Sequence, residues 1–415
     1  MFLHLHCCST YQGVIIEGKM RIVLIADSFP PLRSSGAVQL RDLSREFIRQ
    51  GYDLTVMLPS SDLVESWKLE DIAGVQVMRL RSLKVKDVGY VRRTFGELLM
   101  PFTMLFNLRK SPLRGKRWDG VVWYSPTIFL GPLVSVLKKS SACRAYLILR
   151  DIFPEWAVDM GLMGRGLPFR FFDAVANYQY SVADVIGVQT PGNQAYFNVW
   201  KQQPGHVLEV LHNWLDKPAQ VRCLIRINET SLAGRKLFVY AGNMGVAQGM
   251  DILIDLAEKL QERSDIGFLF VGRGSAVQRL KDSVQTRGLS NVLFFDEIHP
   301  DEIPDLYTQC SVGLVALDPR HKSHNIPGKF LTYMQSGLPV LANVNAGNDL
   351  AKQIRTEKVG QVCEKNQVDD LLRLAESLLL QIETDPELPV RCRKLFDRDF
   401  SVEQSVHQIV AALFP

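Results

Sequence analysis

The sequence lacks the cysteine patterns that stabilise small secreted proteins or bind structural metals. Its seven cysteines are odd in number and include no Cys-x-x-Cys pair. This disfavours a disulfide framework or a zinc site and fits a reducing cytosol. No apolar run reaches the ~20 residues that a membrane-spanning helix needs. The formal net charge of +4 is too small to indicate nucleic-acid binding by itself.

Several signatures of catalysis are also absent. The first predicted loop between a strand and a helix, residues 27–36, has no Gly-x-Gly-x-x-Gly, which argues against a nicotinamide-dependent oxidoreductase. The absence of Gly-x-Ser-x-Gly and Walker sequences argues against hydrolases and ATPases. For metals, the sequence offers one Asp-x-Asp, at 397–399, and the pair His321 and His324 without a third ligand. We therefore expect no metal and no cofactor.

What is present indicates a globular α/β chain. The 415 residues are 47% apolar and 22% charged, which fits two or three average domains. From Met20 onward, short β-branched runs such as residues 22–25 alternate with amphipathic helical stretches. These runs are continuously apolar, as in parallel strands that are buried on both faces. The pattern recurs in the second half, so we predict two doubly wound, Rossmann-like domains facing a central cleft.

Four segments follow from this pattern. Residues 1–19 are expected to be a disordered extension, because the first strong strand follows Met20, where we expect translation to begin. The polar stretch 212–235 has the composition of a linker, so residues 20–214 form the first domain and residues 215–398 the second. A final helical segment occupies residues 399–415.

Candidate site residues lie where strands end, because ligands of such domains bind at the carboxyl ends of the strands. In the first domain, Ser35 and Gly36 open a helix whose free amides suit an anion. Arg150, Asp151 and Glu155 follow a buried strand, where carboxylates can orient hydroxyls or accept a proton. The alternatives are an ordinary turn and local ion pairs.

The second domain offers a stronger candidate for an anion site. Gly242 and Gly245 flank Asn243 where phosphate-binding loops occur, and glycines permit close approach to the backbone. Lys329 follows Gly328 at the start of a predicted helix, so its ammonium and the free amides would form a cationic pocket for a diphosphate. The alternative is a surface lysine.

A weaker motif ends the next strand of the second domain. Arg273 lies between Gly272 and Gly274, where its guanidinium can meet a phosphate or a base. The alternative is an arginine that faces solvent.

Residues 79–118, from Arg79 to Trp118, differ in composition from the rest of the chain. They carry eleven basic residues against two acidic ones, and they enclose the apolar run 98–106. An apolar patch ringed by cations can lie on an anionic membrane surface. The alternative is a core helix beside a solvated basic loop.

Together these segments resemble the retaining GT-B glycosyltransferases of family 4, especially bacterial members that build O-antigen and capsule. The resemblance runs from Met20 to the end of the chain. It is closest to the subgroup of N-acetyl-L-fucosamine transferases. The segments that carry it are residues 21–31, 149–155 (Asp-x-x-Pro-Glu), 211–216, 240–249 (Gly-Asn-x-Gly-x-Ala-Gln), 326–329 and 333–340.

The resemblance implies a UDP-sugar donor on the second domain and an acceptor on the first. We expect the acceptor to be a glycan linked to a polyprenyl diphosphate, and the protein to lie on the inner face of the cytoplasmic membrane. The final helix is expected to pack back across the first domain. The catalytic candidates are Asp151, Lys329, Arg273, Glu155 and Arg150. The donor-binding candidates are Ser35, Gly36, Gly242, Asn243, Gly245, Gln248, Gly272, Gly274, Gly328 and Thr332.

The sequence departs from the family pattern at several of these positions. His324 and Thr332 stand where many relatives have two glutamates. Asn243 and Gln248 replace a common arginine and lysine, and Arg150 stands where some members have a histidine. Two other functions therefore remain open, a nucleotide-sugar epimerase of the same architecture and a non-catalytic protein that binds nucleotide-sugars or lipids.

Overall fold

The computed structural model describes residues 19–32, 34–85, 88–159, 161–218, 220–318 and 326–415. The strands of the first domain are β1 (Arg21–Ile25), β2 (Asp53–Ser60), β3 (Trp67–Ile72), β4 (Val75–Arg81), β5 (Gly120–Tyr124), β6 (Arg144–Leu149), β7 (Val185–Val188) and β8 (Val207–Val210). They form one sheet in the order β3-β4-β2-β1-β5-β6-β7-β8. The edge strand β3 is antiparallel to β4, and the other neighbours are parallel.

Helices cover both faces of this sheet, which explains why its strands are continuously apolar. The helices are α1 (Ser35–Arg49), α2 (Tyr90–Leu108), α3 (Gly131–Ser141), α4 (Glu155–Asp159) and α5 (Leu167–Val182). The face that carries Ile22 and Leu24 packs against α1. The face that carries Val23 and Ile25 packs against α2, α3 and α5.

The second domain repeats the plan. Its strands are β9 (Lys236–Ala241), β10 (Ile266–Val271), β11 (Val292–Phe295), β12 (Val312–Ala316), β13 (Val340–Asn343) and β14 (Gly360–Cys363), and its helices are α6 (Asp251–Lys259), α7 (Val277–Thr286), α8 (Ile303–Thr308), α9 (Gly328–Ser336), α10 (Asp349–Glu357), α11 (Val368–Thr384) and α12 (Leu388–Asp399). The strands form a parallel sheet in the order β11-β10-β9-β12-β13-β14. The prediction of two doubly wound α/β domains is confirmed.

The strand β3 and the helices α3, α4, α5, α10 and α12 were not predicted from the sequence pattern. The edge strand β3 carries Lys68, Glu70 and Asp71, so it gives no continuous apolar signal. It joins β4 through Ala73 and Gly74, whose φ angles of 54° and 84° suit a tight hairpin turn.

The chain crosses between the domains twice at one place. The Leu215 amide donates to the Phe400 carbonyl at 2.9 Å, and the Val402 amide donates to the Leu215 carbonyl at 3.1 Å. Helix α13 (Val402–Leu413) then buries Val406 and Ile409 in the core of the first domain. The last helix is therefore packed on the first domain rather than on the second.

Candidate functional site

The loop after β9 lies at the carboxyl end of the second sheet. Gly242, with φ 131°, donates its amide to the Val271 carbonyl at 2.9 Å, and the Met244 amide donates to the Arg273 carbonyl at 2.8 Å. Met244 is buried, whereas Asn243 is exposed. The loop is thus anchored through its backbone and leaves Asn243 open to a ligand.

The glycines after β10 allow this anchoring. A Cβ atom on Gly272 would lie 2.1 Å from the Gly242 carbonyl oxygen, and one on Gly274 would lie 2.4 Å from the Met244 carbonyl oxygen. Their φ angles of 145° and 148° are also unfavourable for other residues. Gly272 and Gly274 therefore let two backbone segments pack together, a role that needs no direct contact with a ligand.

Gln248 braces the same loop from its far end. Its side-chain oxygen accepts hydrogen bonds from the Gly245 amide at 2.9 Å and from Asn243 Nδ2 at 3.3 Å. The Gln248 side chain thus fixes the loop geometry, and it supplies no positive charge.

Lys329 reaches this loop from the first turn of α9. Its Nζ lies 3.3 Å from the centroid of the Tyr240 ring, and its Cε would lie 3.8 Å from a Cβ atom on Gly242. The partly buried side chain is crowded by protein, and this desolvation lowers the pKa of its ammonium to about 7. An anion placed here would restore the charged form, because an opposite charge favours ionisation.

Three tyrosines hold the loop and Lys329 in place: Tyr240, which contacts Lys329, and Tyr333 and Tyr307, which pack together. None of them was among the predicted site residues. The Tyr240 hydroxyl donates to the Asn243 carbonyl at 2.7 Å. The Tyr333 hydroxyl lies 3.0 Å from the Val239 carbonyl oxygen, and its ring centroid is 4.9 Å from that of Tyr307. These residues lie in apolar runs and on the buried face of a helix, so their sequence signal is that of a core.

Three other predicted residues of the second domain, Arg273, Thr332 and Gly328, differ in exposure and in the groups that they contact. The Arg273 side chain is 80% exposed and pairs with Glu297 at 3.1 Å. The Thr332 hydroxyl lies 3.4 Å from the Gly328 carbonyl oxygen in its own helix. Gly328 is the first residue of α9, and no heavy atom of the described residues lies within 4 Å of a Cβ atom added there. His321, His324 and Asn325 lie outside the described residues.

The facing wall of the first domain is built around Tyr124, at the end of β5. A Cβ atom on Gly36 would lie 3.4 Å from the Tyr124 hydroxyl. Ser35 is exposed at the first position of α1. Burial raises the pKa of the Tyr124 hydroxyl, and the nearby positive charge of Arg150 opposes this shift. The structure thus brings Gly36 and Arg150 to one side chain that pattern analysis did not select.

Arg150 is buried, with 6% of its surface exposed. Its guanidinium donates to the carbonyls of Leu211 at 2.7 Å and His212 at 3.4 Å, and it lies 4.7 Å from the Trp214 ring centroid. Arg150 therefore braces the crossing between the domains, which makes it a positioning residue.

Asp151 and Glu155 follow it. Asp151 is exposed to solvent, yet it is crowded enough that desolvation raises its pKa, an effect that Arg150 opposes. Glu155 opens α4 and is partly buried. Of the two carboxylates, Asp151 is the more exposed.

Direct contacts hold the two domains together beside these walls. The Gly192 amide of the first domain donates to an Asp349 carboxylate oxygen of the second at 2.9 Å. Gln335 of α9 also donates from Nε2 to the Asp216 carbonyl at 2.8 Å, which ties α9 to the segment where the chain crosses between the domains. Within the described ranges, no group of three His, Cys, Asp or Glu side chains is arranged to bind a metal ion.

Comparison with known proteins identifies the second domain. Residues 235–381 match the family model described as "Glycosyl transferases group 1". A protein of Escherichia coli K12 named as a colanic acid biosynthesis glycosyl transferase, WcaI, is 25% identical over 71% of this chain and 74% of its own length. A Pseudomonas aeruginosa protein named as a glycosyltransferase, WbjE, is 23% identical over 75% of this chain and 78% of its own.

Solved structures agree on the fold. The Anabaena protein HepE, in complex with UDP and glucose, superposes with a TM-score of 0.64 at 14% identity, and the match covers 95% of this chain and 99% of HepE. The two facing domains are therefore a GT-B fold. With the group 1 domain at residues 235–381, the chain is a glycosyltransferase.

Proposed function

We propose that this enzyme transfers a sugar, with retention of configuration, from a nucleotide-sugar to a lipid-linked glycan. The donor is UDP-N-acetyl-fucosamine or a related UDP-sugar, and the product belongs to a surface polysaccharide such as O-antigen or capsule. HepE binds UDP, and the name of WcaI refers to colanic acid. The observation that carries the proposal is the position of Lys329 beside Gly242 at the start of α9.

In this reaction the donor diphosphate is held by the amide and side chain of the exposed Asn243, by amides of the first turn of α9, and by the Lys329 ammonium. When the anomeric C–O bond breaks, its electron pair passes to a diphosphate oxygen. The ammonium and the helix terminus stabilise the charge that develops there, which lowers the barrier because the donors are already oriented.

The acceptor would meet the sugar at the wall that holds Asp151. The acceptor hydroxyl forms the new bond on the face that the diphosphate leaves, and its proton passes to the Asp151 carboxylate. The raised pKa of Asp151 suits a group that must accept a proton near neutral pH. Tyr124 and Arg150 form the wall behind it.

The acceptor requires contact with a membrane, for which α2 is suited. Phe95, Phe102 and Phe106 are exposed on this helix, while Arg109 and Lys110 follow its end. No helix in the described part of the chain is long and apolar enough to cross a bilayer. We propose that α2 lies against the anionic inner face of the cytoplasmic membrane, because exposed aromatics and cations both favour that surface.

The test uses the purified protein, labelled UDP-sugars and EDTA, with and without a membrane lipid extract. Release of UDP that depends on the extract, with label transferred to lipid, is the expected result. Isomerisation of the donor without extract would instead identify an epimerase. Binding of the donor without turnover would identify a binding protein.

A further inference from the structure

An apolar groove opens on the first domain between α2 and α5. Its volume is about 300 Å³, at the lower end of small-molecule sites. All nine side chains that line it are apolar or aromatic, and they include Leu98, Phe102, Phe129, Ala174 and Tyr178. A groove of this composition favours a hydrocarbon over a sugar or a nucleotide.

Ring contacts link the groove to the segment between β6 and α4, which carries Asp151. The Phe129 ring lies 6.4 Å from that of Phe172, which lies 5.2 Å from the Phe153 ring. Phe153 follows Asp151 by two residues, in the segment between β6 and α4. A row of aromatic rings therefore runs from the groove to the chain segment that carries Asp151.

The outer end opens beside the proposed membrane surface. Phe102 belongs both to the groove and to the exposed face of α2. Cations flank the helices that border the groove: Lys110, just after α2, stacks on Phe106 at 4.1 Å, and Arg165, just before α5, stacks on Phe169 at 5.1 Å. Arg170, one turn before Ala174 on α5, is exposed. The groove thus combines an apolar interior with a rim that attracts phosphate groups.

We propose that this groove binds the isoprenoid chain of the acceptor next to its diphosphate. The inference rests on the proposed function, because it assigns a place to the lipid of a lipid-linked acceptor. The occupant must keep its chain in apolar surroundings while its sugar reaches Asp151. A chain in this groove, between the membrane face of α2 and the row of aromatic rings, meets both requirements.

The test measures binding of farnesyl diphosphate by calorimetry. Ala174→Trp fills the groove from an exposed position, and Asn177→Trp is its control on an exposed position of α5 outside the lining. We expect Ala174→Trp to weaken binding at least tenfold and Asn177→Trp to leave it within twofold. Failure of the unmodified protein to bind the probe, or equal affinities for both variants, would overturn the proposal.

Two further measurements separate the possible causes. Vesicles of phosphatidylglycerol should bind both variants equally, and a parallel loss of vesicle and farnesyl diphosphate binding in Ala174→Trp would make the groove a general lipid contact and overturn the proposal. UDP binding reports on the second domain. Failure of the unmodified protein to bind UDP would contradict the proposed function without changing the result for the groove.

Discussion

The ammonium nitrogen of Lys329 lies 3.3 Å from the centroid of the Tyr240 ring. The two residues come from different parts of the domain, one from the start of α9 and the other from the end of β9. The ring fixes the position of the ammonium, and burial lowers its pKa to about 7. An aromatic face attracts a cation without neutralising it, so the charge stays available for a diphosphate.

We predict that UDP binding takes up a proton above neutral pH. The free lysine loses its proton as pH rises through about 7, while the bound diphosphate raises the pKa again. Affinity should therefore fall as pH increases from 7 to 9. Calorimetry in buffers of different ionisation enthalpy measures the uptake, which should disappear in Lys329→Met. A binding enthalpy independent of the buffer at pH 8 would contradict the prediction.

The same lysine should lower the stability of the folded protein. Its pKa is lower when folded than when unfolded, so the unfolded chain binds more protons between about 7 and ~10.4. The free energy of unfolding therefore rises with pH across that window as the lysine loses its proton. Below the window, the buried charge lowers the free energy of unfolding by its full amount. Lys329→Met should raise the free energy of unfolding at pH 6.5 by up to about 5 kcal/mol, since each unit by which the pKa is lowered costs about 1.4 kcal/mol. Urea titrations at pH 6.5 and 10 should show this gain shrinking at the higher pH.

Gly274→Ala should disrupt the loop after β9, residues 242–245, which we call the donor loop. The added methyl group would lie 2.4 Å from the Met244 carbonyl oxygen, and relieving such an overlap costs about 2 kcal/mol. Gly288→Ala is the control, because φ there is 64° and no atom lies within 4 Å of the new Cβ, which leaves only backbone strain of about 1 kcal/mol. Thermal unfolding and UDP affinity should both decline more in Gly274→Ala. Equal effects would show that the close packing of the two loops is unimportant.

The exposed face of α2 should govern membrane binding. Phe95 and Phe106 are 59% and 58% exposed, so the double variant Phe95→Ser/Phe106→Ser removes apolar surface without opening the core. We expect sedimentation with phosphatidylglycerol vesicles to weaken about tenfold, since burying apolar area drives such binding. Val64→Ser, at a position that is 87% exposed in another part of the domain, should have no effect. Unchanged sedimentation of the double variant would exclude α2 as the contact.

Most strands could be predicted because a parallel strand that is buried on both faces appears in the sequence as a continuous apolar run. The runs ending at Ile25, Ala241 and Val271 are continuously apolar and are followed by glycine-bearing or polar loops. The edge strand β3 escaped prediction because half of its residues are charged and none is fully buried. Its pairing depends on β4, which is a tertiary contact.

The site was predictable at the level of loops, but the roles of individual side chains were not. Glycine spacing located the donor loop, yet only the close contact to the Gly242 carbonyl explains Gly272. Arg150 has the sequence position of a catalytic group, but its hydrogen bonds go to the backbone of the interdomain crossing. Tyr240 was not predicted as a site residue, because its role depends on a contact with Lys329, whose helix begins nearly ninety residues later.

Lys329 is proposed to stabilise the departing diphosphate, and the turnover rate of Lys329→Met is the decisive measurement of that role. Its control is Lys352→Met, which removes an exposed lysine of α10. Initial rates with the UDP-sugar and lipid extract should fall about 100-fold or more for Lys329→Met, as for loss of one oriented electrostatic donor, and stay within twofold for the control. Rates within threefold of the unmodified enzyme for Lys329→Met would show that the ammonium does not stabilise the leaving group.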